Sequence, residues 1–295
     1  MTWKRVATAA VLIPVIVAIV LFGSTSVVAV ATAAITLLAL WEYFALGEAI
    51  GHRAYRLWTL TCSMLVILLQ WRILRPFAVL SLASGNIPTI ANNPALDRIN
   101  AIYSPLALFF FFVLGVSSLT LWARRSLVEA LPAAGISSSG LLLVAFPLSF
   151  AVRLHGFPSN GPALLLFALV ITWAADTTAY FVGRAIGKHP LAPHISPKKT
   201  WEGSIGGMIG SLLVAYAFSF WIHLPLVHLF AMAILGNIAG QMGDLSESAY
   251  KRSAGVKDSG GLLPGHGGVL DRIDALVLCI PVIWYYLVLM NPSIR

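Results

Sequence analysis

Apolar residues in this chain gather in long unbroken stretches rather than at helix or strand spacing. A helix needs about 20 apolar residues to cross a bilayer. Nine stretches approach that length: about 6–22, 27–46, 57–71, 102–122, 134–152, 162–183, 203–222, 224–243 and 272–290. The third is short, with 77–83 as its extension or an interfacial piece, and the seventh and eighth are separated at His223 and Pro225. In lipid a helix satisfies its own backbone hydrogen bonds, so the pattern predicts an all-α polytopic membrane protein. The polar segment from Arg72 to Ala101 holds turn residues such as Asn86, Pro88 and Asn93-Pro94 and no recognisable chemistry. No internal repeat, heptad or low-complexity tract divides the chain, which reads as one integral unit.

Composition supports this. The chain is 59% apolar and 10% charged, against roughly 25% charged for soluble domains. The net charge of +8 comes without a basic run interleaved with aromatics, so nucleic acid is not an expected partner. The positive-inside rule explains it instead. With the N-terminus in the cytoplasm, fourteen of the nineteen Lys and Arg residues fall on the cytoplasmic side. That arrangement places the two charge-rich loops, 184–202 and 244–271, on the same side, where soluble nucleotides are found. Lys4 and Arg5 precede the first apolar run and no small-residue cleavage site follows, so that run is expected as a retained span. Cys62 and Cys279 lie in apolar runs and are expected as buried small hydrophobes.

The chain holds eleven carboxylates, five of them between Asp244 and Asp274, with Glu202 in a companion loop. A charged insert in so apolar a protein is costly unless something binds to it. Three clusters follow. Asp176 lies about nine residues inside its helix, roughly 13 Å deep, with Arg184 two turns on; a carboxylate at that depth usually marks an ion or substrate path. The second cluster is Ser196-Pro197-Lys198-Lys199-Thr200-Trp201-Glu202-Gly203, where two lysines precede a glycine-rich helix start. Lysines act as point charges for phosphate, and helix N-termini offer free N–H groups to anions. Gly206, Gly207 and Gly210 beyond it read first as helix packing.

The third cluster is the insert itself. If the eighth helix runs past the membrane, Asp244, Glu247 or Ser248, and Lys251 share a face. Asp271 and Asp274, three apart, share a face at the start of the ninth. Asp244 and Asp271 then reach similar depth from two helices, and two carboxylates suit Mg²⁺, which takes oxygen ligands and fills its sphere with water and phosphate oxygens. Gly267 and Gly268 let backbone approach a phosphate. His52, His155, His189, His194, His223 and His228 read as packing or interface residues. His266 is the exception, as a phosphate contact, a proton carrier or a loop lock.

With these motifs in place, the chain resembles the phosphatidate cytidylyltransferase (CDP-diglyceride synthase) family. The signature runs from Ser248 through Lys251-Arg252, Lys257-Asp258, Pro264 to Gly268 and Asp271-Arg272 to Asp274. Asp176 to Arg184 and Ser196 to Gly203 match companion motifs, and Tyr250 stands where an aliphatic residue is expected. The resemblance covers about 170–275 closely and the first 160 residues only as apolar spans. It implies a nucleotidyltransferase of phospholipid biosynthesis that makes CDP-diacylglycerol and pyrophosphate from CTP and phosphatidate. It also implies a multi-pass protein of the inner membrane with its active site facing the cytoplasm. Asp244, Asp271, Lys251 and Asp274 are then the expected catalytic set, with Asp244 and Asp271 holding Mg²⁺. Ser196, Lys198, Lys199, Thr200, Arg252, Lys257, His266, Gly267, Gly268, Asp176, Arg184 and Glu202 are expected to contact substrate. The resemblance supports a second cation, with K⁺ as a candidate, and leaves a homodimer open. Residues 1–160 would form a scaffold with lipid access, and 161–295 would carry the catalytic loops. A CTP-dependent lipid kinase shares these requirements. A transporter is disfavoured because no inverted repeat is visible.

Overall fold

The computed structural model describes residues 2–82, 105–122, 126–158, 160–262 and 267–290. Within them the chain forms nine helices: α1 (Thr2–Phe22), α2 (Thr25–Ala49), α3 (Arg56–Leu82), α4 (Pro105–Trp122), α5 (Leu127–His155), α6 (Gly161–Ile186), α7 (Trp201–Phe218), α8 (Leu226–Ser253) and α9 (Leu270–Met290). Of these, α2, α5, α6, α8 and α9 are long and apolar enough to cross a membrane, while Ala10–Phe22 of α1 and Leu106–Trp122 of α4 are shorter apolar stretches. The chain is a polytopic membrane protein. The nine expected stretches fall on nine helices, save that 219–222 and 224–225 lie in the turn between α7 and α8 and that 102–104 lie outside the described residues; the expected polar segment is helical from Arg72 to Leu82, and its remainder lies outside the described residues. The third helix takes in the extension through Leu82. A one-turn π segment, Leu141–Ala145, interrupts α5.

The departure from an all-α reading is a small hairpin between α6 and α7. Here β1 (Pro190–Ala192) pairs antiparallel with β2 (Ser196–Thr200), with Pro190 opposite Thr200 and Ala192 opposite Ser196. Three prolines, Pro190, Pro193 and Pro197, exclude a helix there, and a two-stranded ribbon has only edges, where proline is tolerated. The Thr200 hydroxyl accepts from the Gly203 N–H at 3.1 Å and caps α7, as a threonine at that position commonly does.

The helices around this hairpin pack closely because one face of each is small. Gly203, Gly206, Gly207 and Gly210 of α7 lie against Ala175, Thr178, Ala179 and Val182 of α6, so close that an added Cβ at Gly206 would stand 2.6 Å from Val182. This is the packing expected of the glycines. The opposite face of α7 presents Trp201, Ile205, Ile209 and Leu213, each more than half exposed, at four-residue spacing. Such a stripe has the chemistry of a lipid contact. A polar ladder also ties α6, α7 and α8. Ser204 donates to Gln241 (2.5 Å), Gln241 to Asn237 (2.5 Å), Asn237 to Ser211 (2.8 Å) and Ser211 to the Ile171 carbonyl (3.2 Å). Bonds of this kind average about 0.6 kcal/mol in a membrane protein, so four contribute roughly 2 kcal/mol. Cys62 and Cys279 are both buried and free.

Candidate active site

The glycine contact between α6 and α7 leaves an opening beneath the hairpin. It is a cleft of about 620 Å³, walled by α6, the hairpin, α7 and α8. Its charged lining is Asp176 and Arg184 from α6, Lys198 and Lys199 from β2, and Asp244 from α8. Thr200, Gly203, Ser204 and Gln241 complete the polar wall. Lys199 forms an ion pair with the Asp244 carboxylate, and Arg184 donates to the Tyr180 hydroxyl at 3.1 Å. Asp176, Asp244 and Asp274, from three helices, stand close enough to act on one another electrostatically. The first two expected clusters therefore share one cleft with the first residue of the third.

Apart from Asp274, the rest of the third cluster lies further out. Gly243 packs on the Asp274 carbonyl so closely that a Cβ there would collide with it. Asp244 is thus level with Asp274, and Asp271 is level with the next turn of α8. There Lys251 Nζ stands 2.5 Å from Glu247 Oε2 and 2.6 Å from Asp271 Oδ1. The Glu247 contact is a buried ion pair. Asp271 also accepts from the backbone N–H groups of Ser259 (3.0 Å) and Gly268 (2.8 Å). It closes the loop that it follows. Gly267 has φ +80, a conformation that favours glycine.

Arg252 joins the two loops, donating to the Ile195 carbonyl of the hairpin at 3.3 Å and to Val256 at 3.2 Å. Both charge-rich loops therefore meet at one end of the bundle. Ser248 donates to Asp244 at 3.4 Å. Lys257 and Asp258 are exposed, and His266 lies outside the described residues. Glu202 does not line the cleft. Its carboxylate braces the hairpin base, 2.6 Å from the His189 ring and 3.3 Å from the His189 N–H. Its own backbone N–H first, then the His189 ring, hold its pKa down to about 2.

Sequence reasoning missed Glu42, Asn237, Gln241 and Ser211. Glu42 is 3% exposed in the middle of an apolar helix and accepts from Ser259 Oγ (3.1 Å) and the Leu270 N–H (2.8 Å). The signal was present, because a lone carboxylate inside an apolar stretch seldom lacks a role. Asn237 and Gln241 sit one helical turn apart on α8, which hints at a polar seam without revealing its partners.

Carboxylate oxygens are the donors that a hard cation takes. Asp176, Asp244, Asp271 and Asp274 offer carboxylate oxygens, and on both Asp244 and Asp271 a lysine ammonium already stands where a cation could. Among the described residues no group of three or more His, Cys, Asp or Glu is arranged to hold a metal ion. Mg²⁺ with two protein carboxylates takes its remaining ligands from water and phosphate.

A family model described as "Cytidylyltransferase family" matches residues 3–290. The curated relatives include phosphatidate cytidylyltransferases of Haemophilus influenzae, 46% identical over 135 residues, covering 44% of this chain and 47% of the relative. That of Bacillus subtilis is 36% identical over 159 residues, covering 53% and 59%. That of Staphylococcus haemolyticus is 44% identical over 149 residues, covering 50% and 55%. The matches thus span about half the length of each of these relatives.

Proposed function

We propose that this chain, which belongs to the cytidylyltransferase family, transfers a cytidylyl group from CTP to phosphatidate. A phosphatidate phosphate oxygen attacks the α-phosphorus of CTP. The bond from that phosphorus to the bridging oxygen breaks, and pyrophosphate leaves with the electron pair. CDP-diacylglycerol stays in the membrane, and no covalent intermediate on the protein is needed. Catalysis is then positioning plus charge neutralisation.

The observation that carries this reading is the cleft, which gathers Arg184, Lys198 and Lys199 with Asp176 and Asp244 beside an apolar helix face. In our reading Lys198, Lys199 and Arg184 hold the triphosphate. Lys251, Arg252 and Lys257 receive the lipid phosphate and the leaving pyrophosphate from the other loop. Asp244 and Asp271 hold Mg²⁺, which supplies charge neutralisation on the triphosphate. Asp176 and Asp274 orient these ligands or take a second cation. Residues 1–160 act as scaffold and lipid access.

We further propose nine spans with the N-terminus and both loops in the cytoplasm, and the protein in the inner membrane. A Gly261→Cys variant tests this. Gly261 is exposed with open space around it, and both native cysteines are buried, so the new thiol should react with an impermeant reagent from the cytoplasmic side alone. Labelling from outside would overturn the topology. The activity itself is tested with purified protein, phosphatidate, Mg²⁺ and CTP labelled at the α-phosphate. Label should enter the lipid extract as pyrophosphate appears. Release of CDP would instead mark a lipid kinase, and an unlabelled extract would end the proposal.

A further inference from the structure

We infer that Glu42, on the second helix, is a positioning residue that fixes the start of α9, where Asp271 stands. This deepens the reading above and rests on it for its kinetic part. The Glu42 carboxylate is buried, and its Oε2 accepts two hydrogen bonds, both from the far end of the chain: Ser259 Oγ at 3.1 Å and the Leu270 N–H at 2.8 Å. Leu270 is the first residue of α9, where backbone N–H groups lack partners within the helix. Glu42 therefore caps α9 from 228 positions away in sequence, and its negative charge suits the positive end of that helix. Gly260 and Gly268 are pressed onto it, and a Cβ added at either would run into the Glu42 carboxylate.

Two carboxylates thus grip one segment. Glu42 takes the Ser259 hydroxyl and the Leu270 N–H, while Asp271 takes the Ser259 and Gly268 N–H groups. Ser259 is shared, so the position of Asp271 depends on Glu42. The other oxygen of Glu42, Oε1, is buried with no hydrogen-bond partner. A carboxylate in an apolar helix is expensive, and among the described residues its hydrogen bonds go to this segment. Tyr43, the next residue, packs edge-on against Tyr250 of α8 at 6.1 Å, which fixes α2 beside the same loop.

The test compares Glu42→Leu with Glu42→Gln. Glutamine keeps an acceptor oxygen for Ser259 and Leu270, and its amide nitrogen takes the unpartnered place; leucine removes both bonds. Hydrogen exchange of peptides covering 256–262 and 267–272 reads the grip without turnover. A hydrogen bond to a charged acceptor contributes enough for a roughly 10- to 100-fold change, so exchange there should quicken by that factor in the leucine variant and stay near wild type in the glutamine variant. In the activity assay the leucine variant should lose kcat by a similar factor with KM for CTP changed less than threefold, and glutamine should restore most of it. Ser259→Ala, which removes one of the two bonds, should give an intermediate effect and serves if the leucine variant does not fold. Wild-type exchange and kcat in Glu42→Leu, or equal losses in the leucine and glutamine variants, would overturn the inference. So would wild-type behaviour of Ser259→Ala where the leucine variant does not fold. A wild-type protein that forms no CDP-diacylglycerol would instead sink the proposed reaction, and the exchange contrast would still stand or fall alone.

Discussion

Replacing Lys251 with methionine tests the charge arrangement at the mouth of the site most directly. The ammonium stands 2.5 Å from Glu247 and 2.6 Å from Asp271, and the three side chains are only 12%, 6% and 7% exposed. Methionine keeps an unbranched side chain and removes the charge, leaving two carboxylates facing each other with little water. At an effective dielectric near 20, each contact corresponds to roughly 6 kcal/mol of Coulomb energy, an upper figure because desolvation opposes it. Stripping one partner from a buried pair costs about 3–5 kcal/mol when measured, and we adopt that range. At about 2–4 °C per kcal/mol, this lowers Tm by roughly 6–20 °C. The assay is thermal unfolding in lipid nanodiscs followed by tryptophan fluorescence. Adding Asp271→Asn removes the repulsion, so the double variant should be more stable than the sum of the two single effects requires, by at least about 1 kcal/mol. A single variant within about 2 °C of wild type, or strict additivity, would refute the reasoning.

Three further outcomes follow from the same geometry. Asp271→Asn alone should abolish turnover, by more than about a hundredfold, while the protein still inserts and purifies; near-normal activity would remove Asp271 from the catalytic set. Lys198→Ala with Lys199→Ala should raise the KM for CTP about tenfold or more, and an unchanged dependence would reduce that hairpin to a topological role. Glu202 has its pKa held near 2 from an ordinary value of 4.5, so its brace is fully present above about pH 4.5 and is lost as pH falls toward 2. The Tm difference between wild type and Glu202→Gln should therefore shrink as pH falls from about 4.5 toward 2. A difference that grows over that acid range would reverse the assignment.

The apolar helices were legible because composition alone sets them, and α8 could be continued to Lys251 because Asp244, Glu247 and Lys251 repeat at helical spacing. The glycine face of α7 was likewise readable as packing. The pairings across helices were not. Nothing in the order of residues tells Lys199 to take Asp244 while Lys251 takes Glu247 and Asp271, since each choice depends on helix rotation. The hairpin escaped notice because its strands are three and five residues long and carry prolines. Glu42 was hidden by distance, as its partners lie more than two hundred positions away and belong to a loop whose own residues drew all the attention.

The two-sidedness of α7 has a consequence for how substrates of unlike solubility meet. The rod is about 10 Å thick, with bilayer-compatible side chains on its outer flank and glycines toward the polar hollow on its inner one. On the proposed reaction, a greasy acceptor and a water-borne donor would arrive from opposite quarters and still be separated by a single partition. The finished molecule would then leave by rounding that partition, keeping its tails immersed throughout, without a passage through the centre of the bundle.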